Sequence, residues 1–272
     1  MGEDSHMHMK RWLTGIIAVP LLIGLIWARP RWPFYSLLFI VSLAGLMEFY
    51  EMTGSELSRF VRYSNYFLTL LLYLLFTMKQ LLFAPVIIVL WALVPMTFYM
   101  LNRPSPDKGW TADIGRAILG PIYIGLPLAM LIMIDMRPEG KIWIFFLLSV
   151  IFANDTGAFY LGRLFGKHKL YEVVSPNKTW EGAVGGLISS FIVSMVFLNI
   201  SNVHVLDLNI LILVFALSLT AQIGDLVESM LKRNHGIKDS GKILPGHGGI
   251  LDRVDGLLFS IPILYVYLVW TI

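Results

Sequence analysis

Cysteine is absent from all 272 residues. Disulfides, thiolate nucleophiles and Cys-ligated zinc are excluded together. Charge is almost as scarce: Asp, Glu, Lys and Arg make up 14% of the chain, against roughly 25% in a soluble domain. The net charge of +3 is too small to argue for nucleic acid, and none is expected as a partner. Also missing are a long polar linker and any repeat at the spacing of solenoids or propellers. Neither a soluble domain nor a repeat array is expected.

What is present is apolar. Hydrophobic residues account for 57% of the sequence, and the mean hydropathy is +0.72. A membrane-spanning helix needs about 20 mostly apolar residues. Nine such segments are predicted, at about 11–28, 34–52, 62–79, 81–101, 112–135, 141–165, 178–200, 208–232 and 250–271. The expected fold is all-α, a polytopic integral membrane protein of about nine transmembrane helices. Residues 10–140 are read as N-terminal helices and 141–272 as C-terminal helices that carry the site. Residues 1–9 are set aside, because Gly2-Glu-Asp-Ser-His-Met7 reads as an expression remnant ahead of a short tail. The first span shows no small-residue cleavage site and is read as retained. Pro20, Pro85, Pro95, Pro121 and Pro127 fall inside apolar runs, where membrane helices tolerate them as kinks.

Lys and Arg set the orientation. With nine spans, only Arg29, Arg31, Lys79, Arg137 and Lys141 of the 21 fall on the side opposite the N-terminus. The richer side is cytoplasmic by the positive-inside rule. It includes the loop between spans six and seven and the loop between spans eight and nine. The expected location is the inner, cytoplasmic membrane, with the site facing the cytoplasm.

The polar residues gather late in the chain. From Ser229 to Asp255 a loop of cations, carboxylates and glycines separates two apolar helices. Asp225 and Glu228 lie near the end of the first helix, and Asp252 and Asp255 near the start of the second. Each pair is spaced i,i+3, on one helix face. Hard oxygen ligands suit Mg²⁺, which is often held by one or two carboxylates and substrate phosphates. The plainer reading is interfacial carboxylates paired with Lys232 and Arg233. Ionisable residues within spans are costly and tend to be functional, and four converging on one loop favour the metal. His247, between Gly246 and Gly248, could donate to phosphate or simply stabilise its loop.

Three further features bear on the site. Ser175-Pro-Asn-Lys-Thr-Trp-Glu-Gly182 opens the seventh span. Ser175 and Thr179 are candidate caps. Lys178 and the unpaired N–H groups of the helix start would attract phosphate. Glu181 complements the helix dipole. Asn154-Asp155 sits within the sixth span and is read as lining a polar cavity, or alternatively as a packing pair. Gly236 to Lys242 nearly matches a P-loop, but Ile243 replaces the Ser/Thr and no strand precedes it, so an NTPase loop is rejected. Gly182-x-x-x-Gly186 reads as tight helix packing, with an inter-subunit face of a homodimer as the alternative. Glu48 and Glu51 close the second span and are read as interfacial.

The long stretch resembles the signature of phosphatidate cytidylyltransferases (CDP-diacylglycerol synthases). The matching positions are Ser229, Lys232, Arg233, Lys238, Asp239, His247, Gly248, Gly249, Asp252, Arg253 and Asp255. Gly256 stands where that family often has Ser. Ser175 to Gly182 is similar to the family's block Ser-Pro-x-Lys-Thr-x-Glu-Gly, and the resemblance covers about residues 150–256. It implies that CTP and phosphatidic acid, drawn from water and from the bilayer, give CDP-diacylglycerol and pyrophosphate. It implies Mg²⁺, with room for a second cation. On this reading Asp225, Asp252, Asp255 and Lys178 are catalytic, with Asp225, Glu228, Asp252 and Asp255 on the metal. Ser175, Lys232, Arg233, Lys238, Asp239, Lys242, His247, Gly248, Gly249, Arg253 and Asp155 then bind substrate. Two other enzymes compete. A CTP-dependent polyisoprenol kinase would need the same groups and differs in its products. A CDP-alcohol phosphotransferase needs a D-G-x-x-A-R motif that is not in the chain. A transporter would more often show repeated halves, whereas here the polar residues crowd into the C-terminal half.

Overall fold

A computed structural model describes residues 20–53, 57–102, 109–241, 243 and 248–271. The first helical stretch, α1, is described over residues 20–27. It is followed by α2 (Trp32–Thr53), α3 (Arg59–Thr77), a short 3-10 turn and α4 (Ala84–Asn102). Next come α5 (Trp110–Gly120), a π-helical turn at Pro121–Gly125, α6 (Leu126–Asp135) and α7 (Gly140–Phe165). A small hairpin, β1 (Lys169–Tyr171) with β2 (Ser175–Thr179), leads into α8 (Trp180–Ser201). The chain ends with α9 (Leu208–Asn234) and α10 (Leu251–Thr271).

The protein is an all-α, multi-pass membrane protein. Seven helices among the described residues are long and apolar enough to cross a bilayer: 32–53, 81–102, 110–135, 140–165, 180–201, 208–234 and 251–271. Two of the nine predicted spans stand apart. The first lies half outside the described residues, with 20–27 helical as α1. The third is helical as α3, but Arg62, Ser64 and Asn65 dilute its apolar face below that of the others. The π turn falls where Pro121, which has no N–H to give, interrupts the α ladder of a 26-residue span.

The chain divides into two compact units. One comprises residues 1–132 and 239–252, the other 133–238 and 253–272. In the first unit, α2, α3 and α5 meet through a buried polar knot. Asn65 Nδ2 donates to Tyr50 Oη at 2.9 Å and to the Ala117 carbonyl at 2.8 Å, and Tyr50 Oη donates to the same carbonyl at 3.1 Å. Gly120 makes room for the Tyr50 ring, since a Cβ there would lie 2.9 Å from it.

In the second unit, α7 and α8 run in close contact along a glycine face. Cβ atoms added at Gly182 and Gly186 would meet the Ala158 carbonyl at 2.8 Å and Asn154 Oδ1 at 2.7 Å. The Gly182-x-x-x-Gly186 motif therefore packs α8 against α7 of the same chain. In lipid, where apolar burial gives little drive between helices, close van der Waals approach supplies the association.

Candidate active site

The hairpin between α7 and α8 sets the position of Lys178. Lys169 pairs with Thr179 and Tyr171 with Ser175 across the two strands. Thr179 caps α8, its side chain accepting from the Gly182 N–H at 3.1 Å. Ser175, the other candidate cap, lies on β2 instead. Glu181 does more than complement the helix dipole. It accepts from the backbone N–H groups of Lys167 at 3.1 Å and His168 at 3.2 Å, and lies 2.6 Å from His168 Nδ1. It thus ties the entry of the hairpin to the start of α8.

Lys178 points its Nζ at Asp225 Oδ2, 2.5 Å away. Asp225 belongs to the one acidic group found among the described residues, with Glu228 and Asp255, whose ligand oxygens lie within 4.8 Å of one another. Two helices supply it. Gly224 and Gly256 explain how they come so close: a Cβ on Gly224 would lie 2.5 Å from the Asp255 carbonyl, and one on Gly256 3.2 Å from that of Ala221. A serine at 256 would have to fit that contact, so glycine here serves the crossing of α9 and α10. Glu228 is 1% exposed and pairs with Lys232 at 2.5 Å. Asp255 Oδ1 accepts from the Gly256 N–H at 2.7 Å, and Ser229 Oγ lies 3.5 Å from Asp225 Oδ1. The donor set is three hard carboxylates. Three carboxylate oxygens this close together are a donor set that would suit Mg²⁺.

A cavity of about 550 Å³ opens beside Asp225. Asp155, Phe159, Arg163, Asn177, Lys178 and Gln222 are among its lining residues. Its floor is a polar seam across three helices. Asn154 Oδ1 accepts from Ser218 Oγ at 2.7 Å and from Gln222 Nε2 at 2.9 Å, and Gln222 also donates to the Ala183 carbonyl at 3.0 Å. Asn154 Nδ2 reaches Asp155 Oδ1 at 3.4 Å. Asn154 is thus the packing residue, and Asp155 is the one exposed to the cavity. The seam was not legible in the sequence, because Ser218 and Gln222 look like ordinary polar interruptions of an apolar helix.

The remaining predicted residues are spread over the same stretch. α9 ends in a helix stop: the Gly236 N–H bonds the Arg233 carbonyl at 3.1 Å, the Ile237 N–H that of Lys232 at 3.0 Å, and Gly236 sits at φ +70°. That is the work of the first glycine of the near P-loop. Arg233 is exposed, its Nε 3.4 Å from the Val174 carbonyl. Lys238, Asp239 and Arg253 are exposed as well. Lys242 and His247 lie outside the described residues.

Asp252 stands outside the acidic trio. In the unit formed by residues 1–132 and 239–252, its Oδ2 accepts from the N–H groups of Gly249 at 2.8 Å and Ser240 at 3.0 Å. Gly248 adopts φ +81°, and a Cβ there would meet Asp252 Oδ2 at 2.8 Å. In the same unit lies a residue that sequence reasoning placed wrongly. Glu48 is buried, 1% exposed, and is not interfacial. It accepts from Ser240 Oγ and from the N–H groups of Ile250 and Leu251. The available signal was a carboxylate inside an apolar span, which is costly to bury without partners.

Fold and site together define a multi-pass membrane protein with a carboxylate group able to hold a metal, set beside lysines. Comparison with known proteins narrows the class. The model of the cytidylyltransferase family matches residues 9–271. A phosphatidate cytidylyltransferase of Staphylococcus saprophyticus is 43% identical over 180 residues, 65% of this chain and 68% of its own. Those of Staphylococcus epidermidis and Staphylococcus aureus are each 40% identical, over 187 and 185 residues. The matches take in 68% of this chain and 71% of the epidermidis protein, and 67% and 70% for the aureus protein. The chain belongs to the cytidylyltransferase family.

Proposed function

We propose that this protein transfers the cytidylyl group of CTP to phosphatidic acid, giving CDP-diacylglycerol and pyrophosphate for phospholipid synthesis. The observation that carries the reading is the Asp225–Glu228–Asp255 group with Lys178 on Asp225, in a family whose named relatives are phosphatidate cytidylyltransferases. The lipid phosphate oxygen is already ionised, so its attack on the α-phosphorus of CTP needs no strong base. What remains is alignment and neutralisation of charge.

The three carboxylates suit Mg²⁺, which when bound would draw phosphate oxygens together and offset their charge. Lys178 pairs with Asp225 and Lys232 with Glu228. On this reading both ammonium groups turn to substrate phosphate once the carboxylates are taken by the metal. Lysine suits that exchange, being a point charge on a flexible stem. The α8 start, capped by Thr179, adds N–H groups and a partial positive charge beside Lys178. Arg163 and Asn177 on the cavity wall offer further donors. Lys238, Asp239, Gly248, Gly249, Arg253, Ser175, Arg233, Lys242 and His247 are further candidates for binding substrate, and Asp252 for catalysis and the metal. The protein sits in the inner membrane with this site toward the cytoplasm, where CTP is available.

The test is direct. Purified protein is incubated with labelled CTP, phosphatidic acid and Mg²⁺, and the products are identified. CDP-diacylglycerol with pyrophosphate is expected. Phosphorylated lipid with CDP would assign the chain to CTP-dependent kinases instead. Turnover in detergent without any gradient separates catalysis from transport.

A further inference from the structure

Glu48 lies on α2, 192 residues before Ser240, the first residue it holds. Its Oε1 accepts from the Ile250 N–H at 2.9 Å. Its Oε2 accepts from the Leu251 N–H at 2.9 Å and from Ser240 Oγ at 3.1 Å. A buried carboxylate needs such donors to offset its lost hydration. Here all three come from one short segment, and two of them are N–H groups that α10 leaves unbonded at its start.

The fit is close on both sides. A Cβ on Gly241 would run into the Glu48 carboxylate, and one on Gly249 would lie 2.5 Å from Oε2. Glycine at both positions is therefore a requirement of the carboxylate, apart from any contact with substrate. Asp252 takes two more N–H groups of the same segment, those of Ser240 and Gly249. Five donors between Ser240 and Leu251 are thus held by two carboxylates, and only Asp252 comes from the segment's own end of the chain.

We propose that Glu48 is a positioning residue for the reaction. It fixes Ser240, Ile250 and Leu251 to α2, so that their neighbours Gly248, Gly249 and Asp252 keep their places for the reaction, and does not itself touch substrate. This rests on the functional reading above. The side chain has no close substitute. Glutamine offers one acceptor oxygen where two receive donors. Aspartate keeps both oxygens but is one methylene short.

The test compares Glu48→Gln, Glu48→Asp and the parent by kcat and KM for CTP and phosphatidic acid, and by hydrogen exchange of the amides at 248–252 and along α2. Glu48→Gln is expected to lose at least tenfold in kcat/KM for CTP. Exchange at Ile250 and Leu251 should rise by a similar factor, with α2 still protected. Glu48→Asp is expected to recover part of both. Should Glu48→Gln unfold, Gly241→Ala replaces it, since its methyl displaces the segment from an intact carboxylate. Loss of turnover with α2 protected supports the role. Turnover within twofold of the parent, with exchange at 250–251 raised, overturns it. An inert parent would overturn the functional reading and this role together. An active parent with an active, unprotected variant overturns this role alone.

Discussion

On the proposed function the chemistry turns on Asp225 and Lys178, and their ion pair sets what each substitution should do. Asp225→Asn removes a negative charge from the trio. Turnover is expected to fall at least a hundredfold while the protein stays folded and extractable, as read by labelled CTP assay and thermal unfolding. Near-parent rates at ordinary Mg²⁺ would take Asp225 out of the metal group. Lys178→Met is expected to raise the apparent KM for CTP or phosphatidic acid, or to lower kcat, with Mg²⁺ still required. Lys178→Arg keeps the charge but changes its geometry, and should retain part of the activity. If Lys178→Met matched the parent for both substrates, the lysine would serve only to neutralise Asp225. Both residues stand out in the sequence because ionisable groups beside apolar spans are conspicuous, but their pairing with each other does not. Glu48 was equally conspicuous and was misread, since a carboxylate near a span end can face water or a partner, and only its neighbours decide which.

At the scale of elements, glycine placement decides which helices bring their carboxylates together. The crossing of α9 and α10 depends on Gly224, where a Cβ would lie 2.5 Å from the Asp255 carbonyl. Gly224→Leu must push the helices apart. Overpacking of this kind costs about 1–3 kcal/mol, occasionally more. The expected outcome is a lower unfolding temperature together with loss of turnover, because Asp255 withdraws from Asp225 and Glu228. A variant of parental stability and rate would show that the crossing has slack. The start of α8 is a milder case. Thr179→Ala removes the cap from the Gly182 N–H, at about 1 kcal/mol. Loosening the strand end beside Lys178 is expected to raise KM more than it lowers kcat. The glycine spacing of α8 could be read as close packing, but not as packing within one chain, because the motif does not name its partner helix.

For the whole molecule, the sequence offers charge asymmetry and the structure offers which ends of helices belong together. In the unit formed by 133–238 and 253–272, the hairpin and the end of α9 share one end of the helices, through Lys178–Asp225 and Arg233–Val174. The loop 202–207 joins the opposite ends of α8 and α9. A chain without cysteine allows a clean labelling test. Cysteines placed at Asn177 and Lys238, both exposed, are expected to react with reagents confined to the cytoplasmic side. One placed at Val205, 79% exposed, is expected to react only from the other side. Ser240, which lies in the signature loop, is a poor site because it is buried. Labelling of Asn177 and Lys238 from opposite sides would contradict the shared end.

The sequence by itself determined the membrane class and the identity of most chemical groups. Length and hydropathy of a helix are local properties, and so is the run of charges and glycines from Ser229 to Asp255. Tertiary structure decided what those groups are paired with. Asp252, spaced to join Asp255, accepts from the N–H groups of Ser240 and Gly249, which its spacing along the helix could not show. The signature stretch itself is divided: residues 229–238 and 253–255 belong to one compact unit and 239–252 to the other. A periodicity cannot show such a division, because it depends on donors and acceptors that lie far apart along the chain, as Glu48 and Leu251 do.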